Sequence, residues 1–566
     1  MADDARAQGG TEQKGESWFP LVILGAAQFV MVLDTSVMNV SISQIVDDLD
    51  TTIQGVQLAI TAYTLVMAAF MLLGAKLGDV WGRDRAFAIG LAVYGVGSLT
   101  TAFSPNLGVL LFGWSLIEGL GAVLVIPAIA ALVAANYSGR RRALAFGLIG
   151  GIAAVAVAAG PLIGGWVTSN LSWRYVFAAE TVVVIGILAV RRKMRSAPPP
   201  ARRPKLDGVG AALSAIGLAL VVYAILRSSE WGWVRPKDPP VIGDHEITPF
   251  GFAPTLWLIL AGLAVLAAFA WWLGRRERRG QDPLLDLALL RIVPLRAGLQ
   301  MLLSQQLLLM GTFFVLPVYL QVVLGFDAFE TGVRLLPLSV GMLIAALSGP
   351  RIAEKTSPRL VVRCGLGAVA ISSLMLLGTV DVELDAPALR VALAVFGVGA
   401  GLLASQLGNV IMSSVDPSRG SEAGGLQGTA QNLGASLGTA LVGAVLLIGL
   451  SGGFQERLLE APGVSAETRE QVADATASGI DIIPVDQAEQ ALRDAGVSAD
   501  ESAAIADAYG QAQVDGLEDA FLIVALLAIA AFWFTRHIPS RPMVQPDAAS
   551  GDPDAAGPPD LSAGGR

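Results

Sequence analysis

Long apolar segments recur along almost the whole of this 566-residue chain, and they restrict its fold more than any other feature. A hydrocarbon layer of about 30 Å needs roughly 20 apolar residues per helix, and about fourteen such segments are present. Hydrophobic residues make up 54% of the chain and charged residues 15%, which is too apolar for a soluble globular protein. The sequence therefore predicts an all-α integral membrane protein. The predicted spans are approximately 18–42, 55–76, 86–104, 107–134, 143–168, 173–190, 207–227, 254–273, 297–323, 332–350, 360–380, 388–414, 423–451 and 516–535.

Basic residues cluster in turns that all fall on one side of the membrane if these spans are correct. Because cytoplasmic loops retain Lys and Arg, that side is predicted to be cytoplasmic, and both termini with it. The expected location is the plasma membrane. The clusters are Lys76 to Arg85, Arg140 to Arg142, Arg191 to Lys205, Arg275 to Arg279, Arg351 to Arg363, and Arg536 to Arg541.

Two of the predicted cytoplasmic turns carry related sequences. GAKLGDVWGRDR at 74–85 lies between the second and third spans, and a degraded copy, GPRIAEKTSPR at 349–359, lies between the tenth and eleventh. The match predicts two six-helix bundles with a helix pair inserted between them, an arrangement built on repeats as in many secondary transporters. The predicted divisions are a cytoplasmic tail 1–17, an N-terminal bundle 18–190, a linker 191–206, the inserted pair 207–273, a linker 274–296, a C-terminal bundle 297–535 and a disordered cytoplasmic tail 536–566.

Two predicted outer segments are long. Residues 228–253 carry Trp231, Trp233 and several prolines, and residues 452–515 form an Ala-rich, acidic insert that is expected to be helical. A solvated cap is the first interpretation of both segments. An extracellular gate, or a docking site for an extracellular partner at 452–515, is the alternative.

The turn motif resembles the loop signature of the major facilitator superfamily, and within it the fourteen-helix drug:proton antiporter family. The resemblance covers roughly residues 18–451 and 516–535 and implies that the motif is a latch on the inner gate. Physically, its glycines allow helix ends to approach closely, and its aspartate can hold a cytoplasmic Arg in one conformation and release it in the other. The matching residues are Gly74, Gly78, Asp79, Gly82, Arg83 and Arg85.

AAGPLIGG at 158–165 resembles the antiporter signature of the family's fifth helix. Pro161 removes a backbone hydrogen bond and is expected to bend the helix, while Gly160, Gly164 and Gly165 allow tight packing against a neighbour. The family associates this motif with exporters, so the resemblance implies efflux rather than uptake. Packing alone is the alternative.

Two acids lie in further segments that resemble the family. LDTSVMNVSI at 33–42 is similar to the signature that ends the first helix, and Asp34 lies roughly 24 Å along that helix from Trp18, past the midplane. A structural hydrogen bond between helices is the alternative role of Asp34. SWRYVFAAE at 172–180 places Glu180 where the family has Asn. The family fold implies that this sixth helix is peripheral, so Glu180 ranks below the other acids as a candidate site residue. The alternative role of Glu180 is to pair with a polar neighbour.

LFGWSLIEGLGAV at 111–123 departs from the family's fourth-helix signature. Aligned on its glycines, it has Ser115 where the family has Arg and Glu118 where the family has Gln. Glu118 lies roughly 17 Å from the outer end of its helix, close to the middle of the bilayer. Burial without a cation favours the neutral form of a carboxyl group, which can then exchange a proton. We therefore expect Glu118 and Asp34 to face one cavity as a proton and substrate site; a permanently protonated, hydrogen-bonded acid is the alternative.

Neutral polar side chains complete the predicted cavity wall. By the family fold they would face the cavity, and interhelical hydrogen bonding is an equally weighted alternative. In the second half, LPVYLQVVLG at 316–325 and GGLQGTAQNLGASLG at 424–438 also look like family segments. The polar candidates are Asn39 on the first span, Gln305 and Gln306 on the ninth, and Gln406 and Asn409 on the twelfth.

The function implied is export of lipophilic, mainly cationic drugs or toxic compounds by proton-coupled antiport and alternating access. A proton gradient would supply the energy, so no cofactor is expected. A cationic substrate would compete with the proton for the unpaired carboxylates. The expected partners are a small lipophilic substrate, protons and membrane lipid, with no nucleic acid. Export or flipping of a lipid or endogenous metabolite on the same scaffold is the alternative.

Side chains that enzymes and metal centres use are scarce. The two histidines, His245 and His537, lie in a loop and near a helix end, which argues against a paired-His metal site. An intramembrane enzyme is disfavoured for that reason. No Gly-rich phosphate-binding loop with Lys is present, so ATP-driven pumping is not supported. The single cysteine, Cys364, is expected to be a small buried hydrophobe.

Overall fold

A computed structural model describes residues 17–137, 139–191, 206–242, 245–381, 386–415, 419–476 and 480–540. Most of each predicted tail and most of the predicted linker 191–206 lie outside these residues. The described chain is almost entirely helical, and its one small sheet is an antiparallel pair in which Val241 faces Glu246.

The first part of the chain forms long helices joined by short turns. Thr52 caps the third helix by accepting a hydrogen bond from the Gly55 amide, and Gly82, with a φ of 91°, ends it. The helices are α1 (Phe19–Val40), α2 (Ile42–Leu49), α3 (Ile53–Trp81), α4 (Arg83–Ala102), α5 (Leu107–Leu110), the π-helical segment Leu111–Glu118, α6 (Gly119–Asn136), α7 (Gly139–Asn170) and α8 (Arg174–Val190).

The rest of the chain continues in the same manner. Asp327 and Glu330 form a reciprocal capping box at the start of α13. The elements are α9 (Gly208–Leu226), α10 (Ser228–Trp231), β1 (Val241–Ile242), β2 (His245–Glu246), α11 (Pro254–Arg278), α12 (Val293–Val318), a π-helical segment (Tyr319–Val323), α13 (Ala328–Lys355), α14 (Pro358–Leu377), α15 (Ala386–Ser413), α16 (Gly420–Glu460), α17 (Ala466–Thr476), α18 (Val485–Asp494) and α19 (Ala499–Ala531), with short 3-10 turns at Pro249–Gly251, Leu289–Arg291 and Phe532–His537.

Each of the fourteen predicted spans overlaps a helix. Eleven helices of the described chain are long and apolar enough to cross a membrane, or twelve if the bent helix α7 is one span. The count of fourteen spans and the side on which the termini lie stay predictions. We call the end with the α3–α4 turn the inner end and the end at which α1 and α7 finish the outer end, following the predicted orientation.

Helix α7 bends by 41° between Val157 and Ala159. Pro161 follows within one turn and has no amide to donate to the Val157 carbonyl, so the bend lies where a proline is expected to produce one. The bend predicted from AAGPLIGG is therefore present.

The outer ends of α1 and α7 contact the second half of the chain. The Ser43 hydroxyl donates to Gln321 Oε1 at 2.7 Å, and Gln321 Nε2 donates to the Val40 carbonyl at 2.7 Å. Ser169 Oγ donates to Asp327 and accepts from the Phe329 amide at 3.0 Å. These bonds hold the outer ends of the two halves together in this structure.

The acidic insert 452–515 is helical in its described part, and it lies against α16 and α19. Arg457 donates two bonds to the Asp515 carboxylate, at 2.7 and 2.8 Å. The buried Tyr509 hydroxyl donates to the Asp481 carbonyl at 2.6 Å and accepts from the Ile483 amide at 2.9 Å. The helical insert predicted from composition is present, and it is fixed to the membrane helices by these bonds.

Cys364 is exposed on α14, which contradicts the prediction of a buried thiol. An apolar run predicts a membrane helix but not which face of that helix packs on protein. A small apolar side chain can equally face lipid, and Cys364 lies on such an exposed face.

Candidate proton and substrate site

Three carboxyl groups meet inside the first half of the chain. Asp34 on α1 and Glu118 at the end of the π-helical segment are both 0% exposed, and Glu180 on α8 is 2% exposed. One carboxylate oxygen from each lies within 4.8 Å of the other two. We call Asp34, Glu118 and Glu180 the acid triad. The sequence proposed all three as site residues and ranked Glu180 lowest, but the structure places Glu180 directly beside the other two.

Close helix packing brings Glu118 into this position. A Cβ atom built on Gly97 of α4 would lie 2.5 Å from the Glu118 amide nitrogen, and one built on Gly121 would lie 2.5 Å from the Tyr94 amide nitrogen. Glycine at both positions therefore allows α4 to touch the backbone that carries Glu118. The π-helical turn adds a residue to the local repeat and changes the direction in which Glu118 points, and such turns are frequent at functional sites.

The three carboxyls have different partners. Asp34 accepts from the Trp114 indole N–H, which lies 2.9 and 3.0 Å from its two oxygens. Glu180 Oε2 accepts from the Ser98 hydroxyl at 2.9 Å and from Tyr94 at 3.4 Å. Both Glu118 oxygens and Glu180 Oε1 are buried and have no hydrogen-bond partner among the described residues. Glu118 is therefore the least satisfied acid of the triad.

No Lys or Arg forms an ion pair with the acid triad in the part of the chain that the structure describes. Ser115, which stands where the family has Arg, is buried and donates its hydroxyl to the Ala59 carbonyl at 2.8 Å. Three buried carboxyls this close repel one another when ionised, so their charges must be neutralised by protons or by a bound cation. Protons or a bound cation can supply that neutralising charge.

The Trp114 side chain is a partner of the triad that the sequence did not reveal. Its ring stacks on Tyr63 with centroids 4.6 Å apart and planes within 1°. Trp usually lies at membrane interfaces, so a Trp one turn before a mid-membrane acid is the signal available in the sequence. Ser98 and Tyr94 gave no such signal, because an isolated hydroxyl on a membrane helix usually bonds to its own backbone.

We expect Trp114→Phe to destabilise the protein while Trp166→Phe does not. Phenylalanine keeps the ring stack on Tyr63 but leaves the buried Asp34 carboxyl without its donor, which costs about 1–3 kcal/mol. Trp166 is 51% exposed on α7, so the same substitution there takes no donor away from a buried acid. Thermal unfolding in detergent measures the difference. Equal unfolding midpoints for the two variants would contradict this role of the indole N–H.

The predicted cavity amides form no hydrogen bond to the acid triad among the described residues. Buried Asn39 donates to the Thr35 carbonyl of its own helix at 2.7 Å, and Gln305 donates to the Ala400 carbonyl of α15 at 3.3 Å. Gln406 is buried and donates to Ser405, Gln306 is half-buried, and Asn409 is exposed and accepts from Ser413. The alternative of interhelical bonding holds for Gln305, and a cavity role for the five amides stays a prediction.

The predicted gate motif forms the α3–α4 turn at the inner end. Gly74 contacts α6, where a Cβ would lie 2.2 Å from the Val123 carbonyl oxygen. Gly349 of the degraded copy makes the corresponding approach to α15, with a Cβ 2.1 Å from Ser405 Oγ. The two turns therefore pack in a related way, as repeated units would.

The charged residues of the motif make short-range contacts. Asp79 pairs with Arg83 at 3.4 Å, Asp84 on the same turn pairs with Arg191 at 3.1 Å, and Arg85 is exposed. Among the described residues, a Cβ built on Gly78 would have only Ala86 Cβ within 4 Å, at 3.9 Å, and one built on Gly82 would have none. The close helix approach expected at these two glycines is therefore absent, and the positive φ of Gly82 explains the need for glycine there. The latch role of these residues stays a prediction.

The antiporter motif presents glycines to two neighbouring helices. A Cβ built on Gly160 would lie 2.3 Å from Ser36 Oγ, and one built on Gly164 would lie 2.8 Å from Val37 Cγ2. Ser36 and Val37 both lie on α1, close to Asp34 in the sequence. A Cβ on Gly165 would lie 2.4 Å from the Ala328 carbonyl oxygen of α13.

Helix α13 makes a matching close approach to the same face of α7. A Cβ built on Gly332 of α13 would lie 2.1 Å from the Pro161 carbonyl oxygen. The motif thus links the helix that carries Asp34 to the second half of the chain. The tight packing predicted from Gly160, Gly164 and Gly165 is therefore present. The direction of transport stays an implication of the resemblance.

Comparison with known proteins agrees with this architecture. The family profile of the Major Facilitator Superfamily matches residues 24–236 and 240–439, which is more than half of the chain. A bacterial homologue of the human lysosomal transporter Spinster, solved in an inward-facing and unoccupied conformation, aligns with a TM-score of 0.58 at 14% identity, covering 93% of this chain and 98% of that chain. This structural likeness concerns the fold alone.

Curated relatives come from drug-resistance systems. The puromycin resistance protein pur8 of Streptomyces alboniger is 31% identical over 437 residues, covering 76% of this chain and 81% of that protein. The tetracenomycin C resistance and export protein of Streptomyces glaucescens is 27% identical, covering 83% and 84%. The multidrug resistance protein Stp of Mycobacterium tuberculosis is 25% identical, covering 77% of each. The chain therefore belongs to the major facilitator superfamily and is a multi-pass membrane transporter rather than an enzyme.

Proposed function

We propose that this protein exports lipophilic, cationic drugs or toxic compounds from the cell in exchange for protons. The observation that carries the proposal is the acid triad, whose three buried carboxyls have no basic partner among the described residues. The resistance and export functions in the names of the relatives support a drug as the substrate class.

The exchange follows from competition for the same negative charge. A protonated triad is neutral and stable in a buried position, whereas an ionised triad attracts a cation. A cation that enters from the inner side therefore favours release of a proton, and a proton that enters from the outer side favours release of the cation. The gradient of protons across the membrane drives the cycle, and no cofactor takes part in it.

Alternating access requires the two halves to rock against each other around the triad. The bonds between Gln321 and α1 and the α7–α13 contact close the outer end in this structure, and they must open for release. We propose the gate motif around Asp79 and Arg83 as the contact that changes at the inner end. Cytoplasmic termini and a plasma-membrane location belong to the same proposal.

Proteoliposomes that contain the purified protein test this function with ethidium as the probe. We expect an acid interior to drive accumulation of ethidium, because protons leaving the vesicle exchange for the cation. Nigericin, which removes the pH gradient, should abolish the accumulation, and protein-free vesicles are the control. Accumulation that is the same with and without the gradient would contradict proton coupling. No accumulation under either condition would contradict cation transport.

A further inference from the structure

A groove on the outer surface of the helix bundle leads to the acid triad. It has a volume of about 520 Å³ and lies between α1, α7 and α8. The volume falls within the range of about 300–1,000 Å³ that is usual for small-molecule sites. Among the described residues that line it, Glu180 is the only one with a charged side chain, and the others are apolar apart from Tyr175.

The groove faces the surroundings of the bundle rather than its centre. Tyr175, at the start of α8, is 60% exposed, and Leu171, in the outer turn between α7 and α8, is 57% exposed. Val183 and Ile163 on the rim are also exposed. In a membrane protein such apolar surfaces contact lipid chains, so the groove opens laterally into the outer half of the bilayer.

The inner wall of the groove carries the acid Glu180, and the surface that leads to it is mostly apolar. Leu33, next to Asp34, is buried against Val176 and forms part of this wall. Glu180 lines the groove, is 2% exposed and has one carboxylate oxygen without a hydrogen-bond partner. The other oxygen is held by Ser98, and the remaining triad acids lie directly behind. An apolar groove that ends on an unsatisfied acid is complementary to a molecule with an apolar body and one positive charge.

We propose that this groove is a lateral binding site for a lipophilic monocation dissolved in the outer half of the bilayer. The apolar body lies between α1, α7 and α8, and the cationic centre contacts Glu180. The cation is thereby bound from the bilayer beside the acid triad while inter-helix bonds close the outer end, and its release to the outer solution still requires that end to open. The inference rests on the proposed function and specifies the substrate and its route.

Equilibrium binding of radiolabelled tetraphenylphosphonium to the full chain in phosphatidylcholine nanodiscs tests the site. Tetraphenylborate has the same shape and the opposite charge, so it is the matched control ligand. We expect unlabelled tetraphenylphosphonium to displace the probe and tetraphenylborate to fail to do so. Glu180→Gln should weaken binding of the cation. Equal displacement by the two ions, or no specific binding to the wild type, would overturn the proposal.

Two substitutions on α8 test the location. Val183→Trp fills the groove, and Val182→Trp adds the same bulk at a neighbouring residue that is 69% exposed and outside the lining. We expect binding to weaken about tenfold in Val183→Trp, equivalent to about 1.4 kcal/mol, and to stay unchanged in Val182→Trp. Ala179→Leu is a second, smaller groove-filling variant, which should also weaken binding if Val183→Trp does not fold.

Wild-type affinity in both groove-filling variants, or equal weakening in Val182→Trp, would overturn the proposed location. The ethidium assay separates this inference from the proposed function. If the groove is not a site, gradient-driven transport persists in Val183→Trp while binding is unaffected. If the proposed function is wrong, the wild type binds tetraphenylphosphonium in the groove but does not transport ethidium.

Discussion

Glu118→Gln is expected to lower pH-driven ethidium transport about a hundredfold. Coupling free energies between two ligands are typically about 1–3 kcal/mol, which corresponds to about 5–150-fold, so this loss is near the top of that range. Glutamine has nearly the same shape as glutamic acid but neither binds nor releases a proton. Among the described residues neither Glu118 oxygen has a hydrogen-bond partner, so the amide of glutamine breaks no hydrogen bond there. The substitution therefore removes coupling and leaves the packing of α4 and α6 intact.

Three further variants make this experiment specific. Asp34→Asn should also reduce transport, because Asp34 belongs to the same group of carboxyls. Glu118→Asp should retain part of the activity, since it keeps a titratable group at the position. Glu470→Gln, on an exposed residue of the insert, should behave as the wild type. Wild-type transport in both Glu118→Gln and Asp34→Asn would show that the triad does not couple protons to transport.

Gly165→Ala is expected to separate the outer ends of α7 and α13. An added Cβ would lie 2.4 Å from the Ala328 carbonyl oxygen and 2.9 Å from Phe329 Cα, and these backbone atoms cannot move aside as a flexible side chain can. Overpacking of this kind costs about 1–3 kcal/mol. In the proposed cycle this contact is lost when the outer end opens, so the cost should shift the closed-to-open equilibrium by about 5–150-fold toward open.

Spin labels measure this shift. In a Cys364→Ser background, Asn170→Cys on α7 and Val333→Cys on α13 report the distance between the outer ends. We expect Gly165→Ala to increase the population at long distance. Gly151→Ala, on the same helix with nothing within 4 Å of the added Cβ, should leave the distribution unchanged. Identical distributions in the two variants would contradict a role of Gly165 in outer closure.

The acids of the site could be found from the sequence because a carboxyl group in an apolar run is costly. Asp34 and Glu118 stand out for that reason, and the absence of Arg at Ser115 adds a second signal. Glu180 was harder to rank because a peripheral helix can still direct one face inward. On that inward face Glu180 accepts a hydrogen bond from Ser98 on α4, and the two residues are 82 positions apart in the sequence.

The groove and the partners of the triad could not be predicted, because both depend on how helices pack. Tyr63 and Trp114 lie on different helices, and the sequence does not show that their rings stack. The π-helical turn before Glu118 could not be predicted either, because no residue type in LFGWSLIE is specific to such a turn. The fold itself was easier to predict, because apolar segments of membrane-spanning length identify the helices directly, and Pro161 located the bend in α7.

Proton release on cation binding is the most direct test of the claim that one group of acids binds both ions. Purified protein in weakly buffered detergent solution with a pH indicator is mixed with tetraphenylphosphonium near neutral pH, and the released protons are counted against bound cation. We predict release of about one proton per cation in the wild type, because proton and cation compete for the same negative charge. Stoichiometric binding of the cation without proton release would contradict the account.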